Sequence, residues 1–250
     1  MRRFAFLVAL ALTALTALHA VAATPDYARE SRWADEVLPQ IVVGDPIWLA
    51  VPGKPRVLAI FTMPVGTPKG AIVVVHGSGV HPDWNLIGEL RTKLAERGYA
   101  TLAVQMPVLA ADAARDAYRA LFDDASARMQ AASEWLRAKG YSSAAIVAHS
   151  LGASMADAFL THGGTAVAWV PVGMQDDFSV PPRIPVLDVV AERDLPEVLV
   201  AVRVRAARLP RDSCSGGVTI PATDHFMNGA TTALSDAIAA FLDRVYARRC

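Results

Sequence analysis

Little in this sequence points toward a charged partner, a cofactor or a membrane span. Lys plus Arg and Asp plus Glu number 24 each in 250 residues, so no net field draws the chain to nucleic acid or to an anionic membrane surface. The longest apolar run, Phe4 to Leu18, is about 15 residues and falls short of the roughly 20 that a spanning helix needs. No cysteine follows that run, so a lipid-modified start of the bacterial lipoprotein kind is not suggested. Repeats and low-complexity tracts are absent, and nothing implies a metal or an organic cofactor. Cysteine is scarce too: Cys214 and Cys250 are the whole supply.

What is present is largely apolar. Hydrophobic residues make up 53% of the chain and charged residues 19%, which suits one compact domain with a full core, expected over residues 23–250. Ahead of it, Arg2 and Arg3, the apolar run and Ala20-Val21-Ala22 stand in the order of an export signal. Cleavage is expected after Ala22, leaving a periplasmic or secreted chain. In an oxidising compartment the two cysteines are a candidate bridge between the last residue and an internal loop. In the chain-entropy model such a bridge stabilises by roughly 3 to 4 kcal/mol.

After the signal, strand-like and helix-like stretches alternate, which argues for an α/β fold with a mostly parallel central sheet flanked by helices. Residues 40–49 and 56–63, broken by Pro46, Pro52 and Pro55, read as an antiparallel opening. Residues 71–75 are a continuous, mostly β-branched apolar run, as in a strand buried on both faces, and end at His76-Gly77-Ser78-Gly79. Leu86, Ile87, Leu90 and Leu94 form a helical stripe over 86–97 that Gly98 stops. Further strands are expected at 99–104, 144–147, 167–170, 186–190 and 218–220. Helices are expected up to about Lys139, from Ser150 to about Thr161, and from Ala230 to Arg248. Residues 171–185 are too few for an inserted helical lid, so an open site is expected, bordered by the alanine-rich stretch 105–124.

Ala148-His149-Ser150-Leu151-Gly152 lies between an expected strand and an expected helix. A sharp turn there holds a serine hydroxyl clear of the sheet, near the positive end of the helix, and needs small residues two before and two after the serine. Gly152 meets that need, and Ala148 departs from it by one methyl group. The competing role for Ser150 is to cap the helix. A serine hydroxyl is a poor nucleophile until an imidazole takes its proton and a carboxylate stabilises that imidazole. His225, after the last strand, is the best-placed base. His19 leaves with the signal, His76 and His81 belong to the early loop, His149 flanks the serine as a structural residue, and His162 ends a helix. Asp194, just after the strand at 186–190, is the expected acid, with Asp176, Asp177, Glu192 and Asp224 as rivals and Asp188 as a structural residue. The amides of Ser78 and Leu151 are the expected donors to a developing oxyanion, with Gly79 in reserve.

Ser150, Asp194 and His225 follow the chain order of an α/β-hydrolase, and the chain resembles that superfamily from the strand before His76 to the terminal helix. Within it, the run His76-Gly77-Ser78-Gly79-Val80-His81-Pro82-Asp83-Trp84, followed by Leu102-Ala103-Val104-Gln105-Met106-Pro107, resembles a bacterial domain-of-unknown-function family with an HGxGxHPDW loop. The resemblance implies a Ser-Asp-His triad and an oxyanion loop at Ser78, and names no substrate. His81, Asp83 and Trp84 are read as packing residues where a helix starts. The expected function is an exported serine hydrolase, esterase-like and cofactor-free, acting on a small-molecule or lipid-like acyl substrate. Acyl transfer by the same triad, or a noncatalytic binding or envelope-assembly role, are the alternatives.

Overall fold

The computed structural model describes residues 24–250; the expected export signal and its cleavage site lie outside them. Eight strands form one sheet: β1 (Asp45–Leu49), β2 (Val57–Thr62), β3 (Gly70–Val75), β4 (Tyr99–Val104), β5 (Ala144–His149), β6 (Trp169–Val172), β7 (Leu187–Arg193) and β8 (Gly216–Asp224). Their spatial order is β1-β2-β4-β3-β5-β6-β7-β8. As the prolines suggest, the opening is antiparallel: β1 pairs with β2, and β2 with β4. Every later pairing is parallel. Six helices cover the sheet: α1 (Tyr27–Val37), α2 (Asn85–Glu96), α3 (Phe122–Ala138), α4 (Leu151–Thr161), α5 (Pro196–Ala206) and α6 (Thr231–Tyr246).

The continuous apolar runs of the parallel strands follow from burial on two faces. In β3, Ala71, Val73 and Val75 join Met129 and Leu136 of α3 and Met155 and Phe159 of α4 in one core layer. The alternate residues Ile72 and Val74 join Leu90 and Leu94 of α2 and Ile238 and Phe241 of α6 in the other. All five of these β3 residues are fully buried. Gly98, with φ of +91°, ends α2 as expected, in a conformation that an L side chain resists.

Two helices depart from the sequence reading. In α1, Asp26 accepts a hydrogen bond from the Arg29 amide at 2.9 Å as an N-cap, but only Glu30, Ala34 and Val37 are buried. Ala34 and Val37 pack with Leu58 of β2, and a buried ion pair, Glu30 to Arg128 of α3 at 3.0 Å, adds a contact that no apolar period announces. In α5, the sequence Val-Leu-Val-Ala-Val-Arg-Val-Arg alternates like a strand and leaves Val200 and Val204 exposed. Its anchor is Arg205, fully buried, whose guanidinium donates to both carboxylate oxygens of Asp188 at 2.8 and 3.0 Å. The strand expected over 40–49 shrinks to β1 because Leu38–Gln40 is a 3₁₀ turn and Gly44 holds φ of +91°. The last strand is longer than its apolar centre and reaches Asp224.

Residues 173–186, between β6 and β7, contain no helix, so no large lid is inserted there. Cys214 and Cys250 are joined in a disulfide with a Cα–Cα distance of 5.0 Å. Among the described residues no helix is long and apolar enough to cross a membrane.

Candidate active site

The C-terminal ends of the parallel strands bring Ser150, Asp194 and His225 together from three separate segments. Ser150 occupies the turn between β5 and α4 with φ of 54° and ψ of −124°, a conformation that costs about 1 to 3 kcal/mol for a residue with a side chain. Its hydroxyl makes no capping hydrogen bond to the helix. Instead it meets His225 Nε2 at 3.0 Å. The competing reading of Ser150 as a helix cap therefore finds no contact to support it.

The strained turn survives because its surroundings admit no other path. The Ser150 amide donates to Val172 O at 2.8 Å, tying the turn to β6. A Cβ on Gly152 would stand 2.3 Å from His76 O, so α4 leaves the turn in direct backbone contact with the end of β3. A Cβ on Gly77 would stand 3.2 Å from the Ser150 Cβ. The glycine requirement is thus one of close approach. Ala148, fully buried in the core layer beneath α4, fits its methyl group without such a conflict.

His225 Nδ1–H donates to Asp194 Oδ1 at 2.6 Å, which leaves Nε2 as the acceptor for the serine hydroxyl. Asp194 also accepts from the Leu195 amide on Oδ1 at 2.8 Å and from the Ala191 amide on Oδ2 at 3.0 Å. Burial pushes its carboxyl up, but the hydrogen bonds from His225 and these two amides outweigh it and hold the group below the ordinary carboxylate range. The rival acids are occupied elsewhere. Asp176 binds Arg115, Arg119 and Ser154, Asp177 binds Arg208, Glu192 accepts the Ala222 amide, and Asp224 holds the Phe226 amide and Asn228.

Two histidines set aside as bystanders hold this geometry. His149 projects its ring to within 4.9 Å of the His225 ring, and its Nε2–H donates to the His225 carbonyl at 2.9 Å. Burial, with the neighbouring His225, lowers its pKa to about 4, so it stays neutral. His76 is fully buried, accepts the Met106 amide on Nε2 at 2.8 Å and donates Nδ1–H to Gly77 O at 2.8 Å. Burial lowers its pKa to about 3. The ring pins the loop that carries Gly77, Ser78 and Gly79. Gly173 completes the enclosure: a Cβ there would stand 3.0 Å from the His225 ring. Arg205 secures that loop by donating to Met174 O at 2.8 Å and Asp176 O at 2.7 Å.

Of the two expected oxyanion donors, Leu151 is the first residue of α4, where amides lack an intrahelical partner. Ser78 is exposed and follows Gly77, the residue that abuts Ser150. The neighbouring Asp83 accepts from Arg91 Nε at 3.0 Å, and Trp84 packs edge-on against Phe226 with ring centroids 5.7 Å apart. Phe226 is 45% exposed and lies 5.3 Å from the His225 ring, giving the site an apolar rim. The stretch 105–124 contributes a 3₁₀ turn, Arg115–Leu121, whose Tyr118 hydroxyl lies 4.0 Å from where a Gly79 Cβ would stand.

A family described as Protein of unknown function (DUF3530) matches residues 2–126, a span that includes the His76 loop and ends before Ser150. No curated protein matches the sequence. Among solved structures, the chain is similar to a dienelactone hydrolase from Anabaena variabilis, at 21% identity and a TM-score of 0.65, with 80% of this chain and 96% of that one covered. It is also similar to an α/β serine hydrolase without lid from Xanthomonas campestris, at 17% identity and a TM-score of 0.65, covering 82% and 95%. A third is the esterase domain of a Rhodothermus marinus protein, at 16% identity and a TM-score of 0.63, covering 80% and 98%. At these identities the likeness establishes the fold, that of the α/β-hydrolases.

Proposed function

The chain belongs to the family described as Protein of unknown function (DUF3530), which names no reaction, and from the chemistry of its site we propose that it is a serine hydrolase acting on carboxylic esters. The observation that carries this reading is the unbroken series from the Ser150 hydroxyl through the His225 ring to Asp194, at 3.0 and 2.6 Å, with the serine in a strained turn and free of any capping role. Ser150 Oγ attacks the ester carbonyl while its proton passes to His225 Nε2. The tetrahedral oxyanion faces the amides of Leu151 and Ser78. Collapse expels the alcohol, which takes the proton from His225 and leaves an acyl-serine. Water, deprotonated by the same imidazole, then releases the acid and restores Ser150.

In this reading the loop from His76 to Trp84 carries the oxyanion donor and the aromatic rim, and the substrate is a small-molecule or lipid-like acyl compound. The protein works in the periplasm or outside the cell as one domain over residues 23–250. The leader-like residues 1–22 and the Cys214–Cys250 disulfide support that address. A fluorophosphonate probe followed by intact mass tests the chemistry. We expect a single adduct that is lost in Ser150→Ala. Pure, folded protein that takes up no adduct, or a Ser150→Ala variant that still does, would sink the proposal.

A further inference from the structure

Arg29 is held in place without a counter-charge. Its Nη1 donates to Leu109 O at 2.6 Å, and its guanidinium carbon lies 4.4 Å over the Trp33 ring. Among the described residues it meets no carboxylate within ion-pair distance, whereas the buried or half-buried Arg91, Arg115, Arg128 and Arg205 each have one. A guanidinium fixed by a carbonyl and an indole face is pre-organised, and its remaining donors suit an oxyacid in a forked arrangement.

Where those donors lie matters more. Arg29 Nη2 is 3.8 Å, and the Tyr118 hydroxyl 4.0 Å, from the position of a Cβ on Gly79. Tyr118 is 3% exposed, and its hydroxyl meets no hydrogen-bond partner among the described residues. Gly79 is two residues after Gly77, which abuts Ser150. Two residues of extended chain span at most about 7 Å. A cation and a tyrosine hydroxyl therefore stand over one end of the loop whose other end meets Ser150. Beside His225 the site is bordered by the apolar Phe226 and Trp84 pair.

We propose that Arg29 and Tyr118 form a subsite for an anionic oxygen group, a carboxylate or a phosphate, borne on a short arm of the ester substrate. The inference rests on the hydrolase reading and narrows its substrate to an anionic ester. The α1 helix, which contributes Arg29 and Trp33, is thereby part of the site.

Matched esters test it through kcat/KM. p-Nitrophenyl hydrogen glutarate against p-nitrophenyl pentanoate places the carboxylate on the acyl arm. 4-Butanoyloxybenzoate against 4-butanoyloxybenzamide places it on the alcohol arm, and 4-butanoyloxyphenyl phosphate replaces carboxylate by phosphate. At least one charged ester is expected to be preferred over its neutral partner by about tenfold or more, a preference that weakens as salt rises. Arg29→Gln and Arg29→Met bring that ratio close to one, Tyr118→Phe lowers it severalfold, and Arg29→Lys, which keeps the charge and loses the fork, retains part of it. A ratio that never favours the charged esters, or one unchanged in both Arg29→Gln and Arg29→Met, overturns the inference.

A second measurement does not depend on turnover. Calorimetry with glutarate, 4-hydroxybenzoate and phenyl phosphate on Ser150→Ala is expected to show binding of at least one anion that Arg29→Gln removes. If Ser150 takes no fluorophosphonate but an anion binds through Arg29, the hydrolase reading fails and the subsite stands. If Ser150 is labelled and no anion depends on Arg29, the subsite fails and the hydrolase stands.

Discussion

Gly152→Ala adds one methyl group at the point where the turn carrying Ser150, the proposed nucleophile, meets the start of the His76 loop. The new Cβ would stand 2.3 Å from His76 O, 2.9 Å from Val75 Cγ1 and 3.0 Å from His76 C, against a closest approach of 3.0 Å for real Cβ atoms. The shortfall to the carbonyl oxygen is thus 0.7 Å, and it cannot be relieved by a side-chain rotation, because the opposing atom is backbone. Nor can His76 yield easily, since its ring is fully buried between Met106 N and Gly77 O. The N-terminus of α4 must move, carrying Ser150 and the Leu151 amide with it. Overpacking of this kind costs about 1 to 3 kcal/mol of stability, and a displacement near 1 Å at a reacting group costs on the order of 100-fold in rate. We expect Gly152→Ala to slow fluorophosphonate labelling of Ser150 by about that factor while remaining folded at 25 °C, as followed by near-ultraviolet circular dichroism. Ala148→Gly is the control: it removes a methyl group already accommodated and should cost only about 0.5 to 1 kcal/mol, with labelling near the wild-type rate. Wild-type labelling kinetics and an unchanged melting temperature in Gly152→Ala would refute the close-approach argument.

Asp194→Asn removes the carboxylate that orients His225 and should lower kcat on a p-nitrophenyl ester by about 10³ to 10⁴-fold with little change in KM; a loss below tenfold would remove Asp194 from the triad. His76 and His149, whose pKa values burial lowers to about 3 and about 4, take up protons far more readily when unfolded, near the ordinary value of about 6.5. Their stabilising contribution is complete above pH 6.5 and declines as pH falls toward those folded values, by about 2 kcal/mol for each ring at pH 5. Denaturant titrations at pH 7 and pH 5 should register that fall, and equal stability at both would contradict the neutral, buried state of the two rings. Replacing Cys214 and Cys250 by Ser should cost roughly 3 to 4 kcal/mol in denaturant unfolding. Labelling of Ser150 at 25 °C should be unaffected, because the bridge precedes β8 whereas His225 follows its far end; slowed labelling would show that the bridge reaches the site.

Much of the site is legible in the sequence because nucleophile turns are governed by local sterics. A buried strand, small residues on both sides of Ser150 and a following helix are all written within a dozen residues, and the apolar runs at residues 71–75 and 144–147 place the central strands. What stays hidden depends on charge rather than periodicity. The α1 and α5 helices carry the buried ion pairs Glu30–Arg128 and Asp188–Arg205, 98 and 17 residues apart; α5 shows no apolar stripe, and the short apolar face of α1, Ala34 and Val37, packs only on a small cluster with Leu58. His149 is legible as a structural residue beside Ser150, but its hydrogen bond to the His225 carbonyl joins residues 76 apart and follows only from the direction of its ring.

By itself, then, the amino-acid sequence determined the alternation of elements, the burial of the parallel strands and the conformation demanded at Ser150, since each arises from side-chain period, volume and backbone freedom over short stretches. The tertiary structure alone decided which carboxylate meets His225, that His76 and His149 brace the loops on either side of the serine, and that Arg29 reaches Gly79. Those outcomes depend on strand order and register, which bring distant segments to one edge of the sheet, and on desolvation, which makes a buried polar group find its partner wherever in the chain that partner lies.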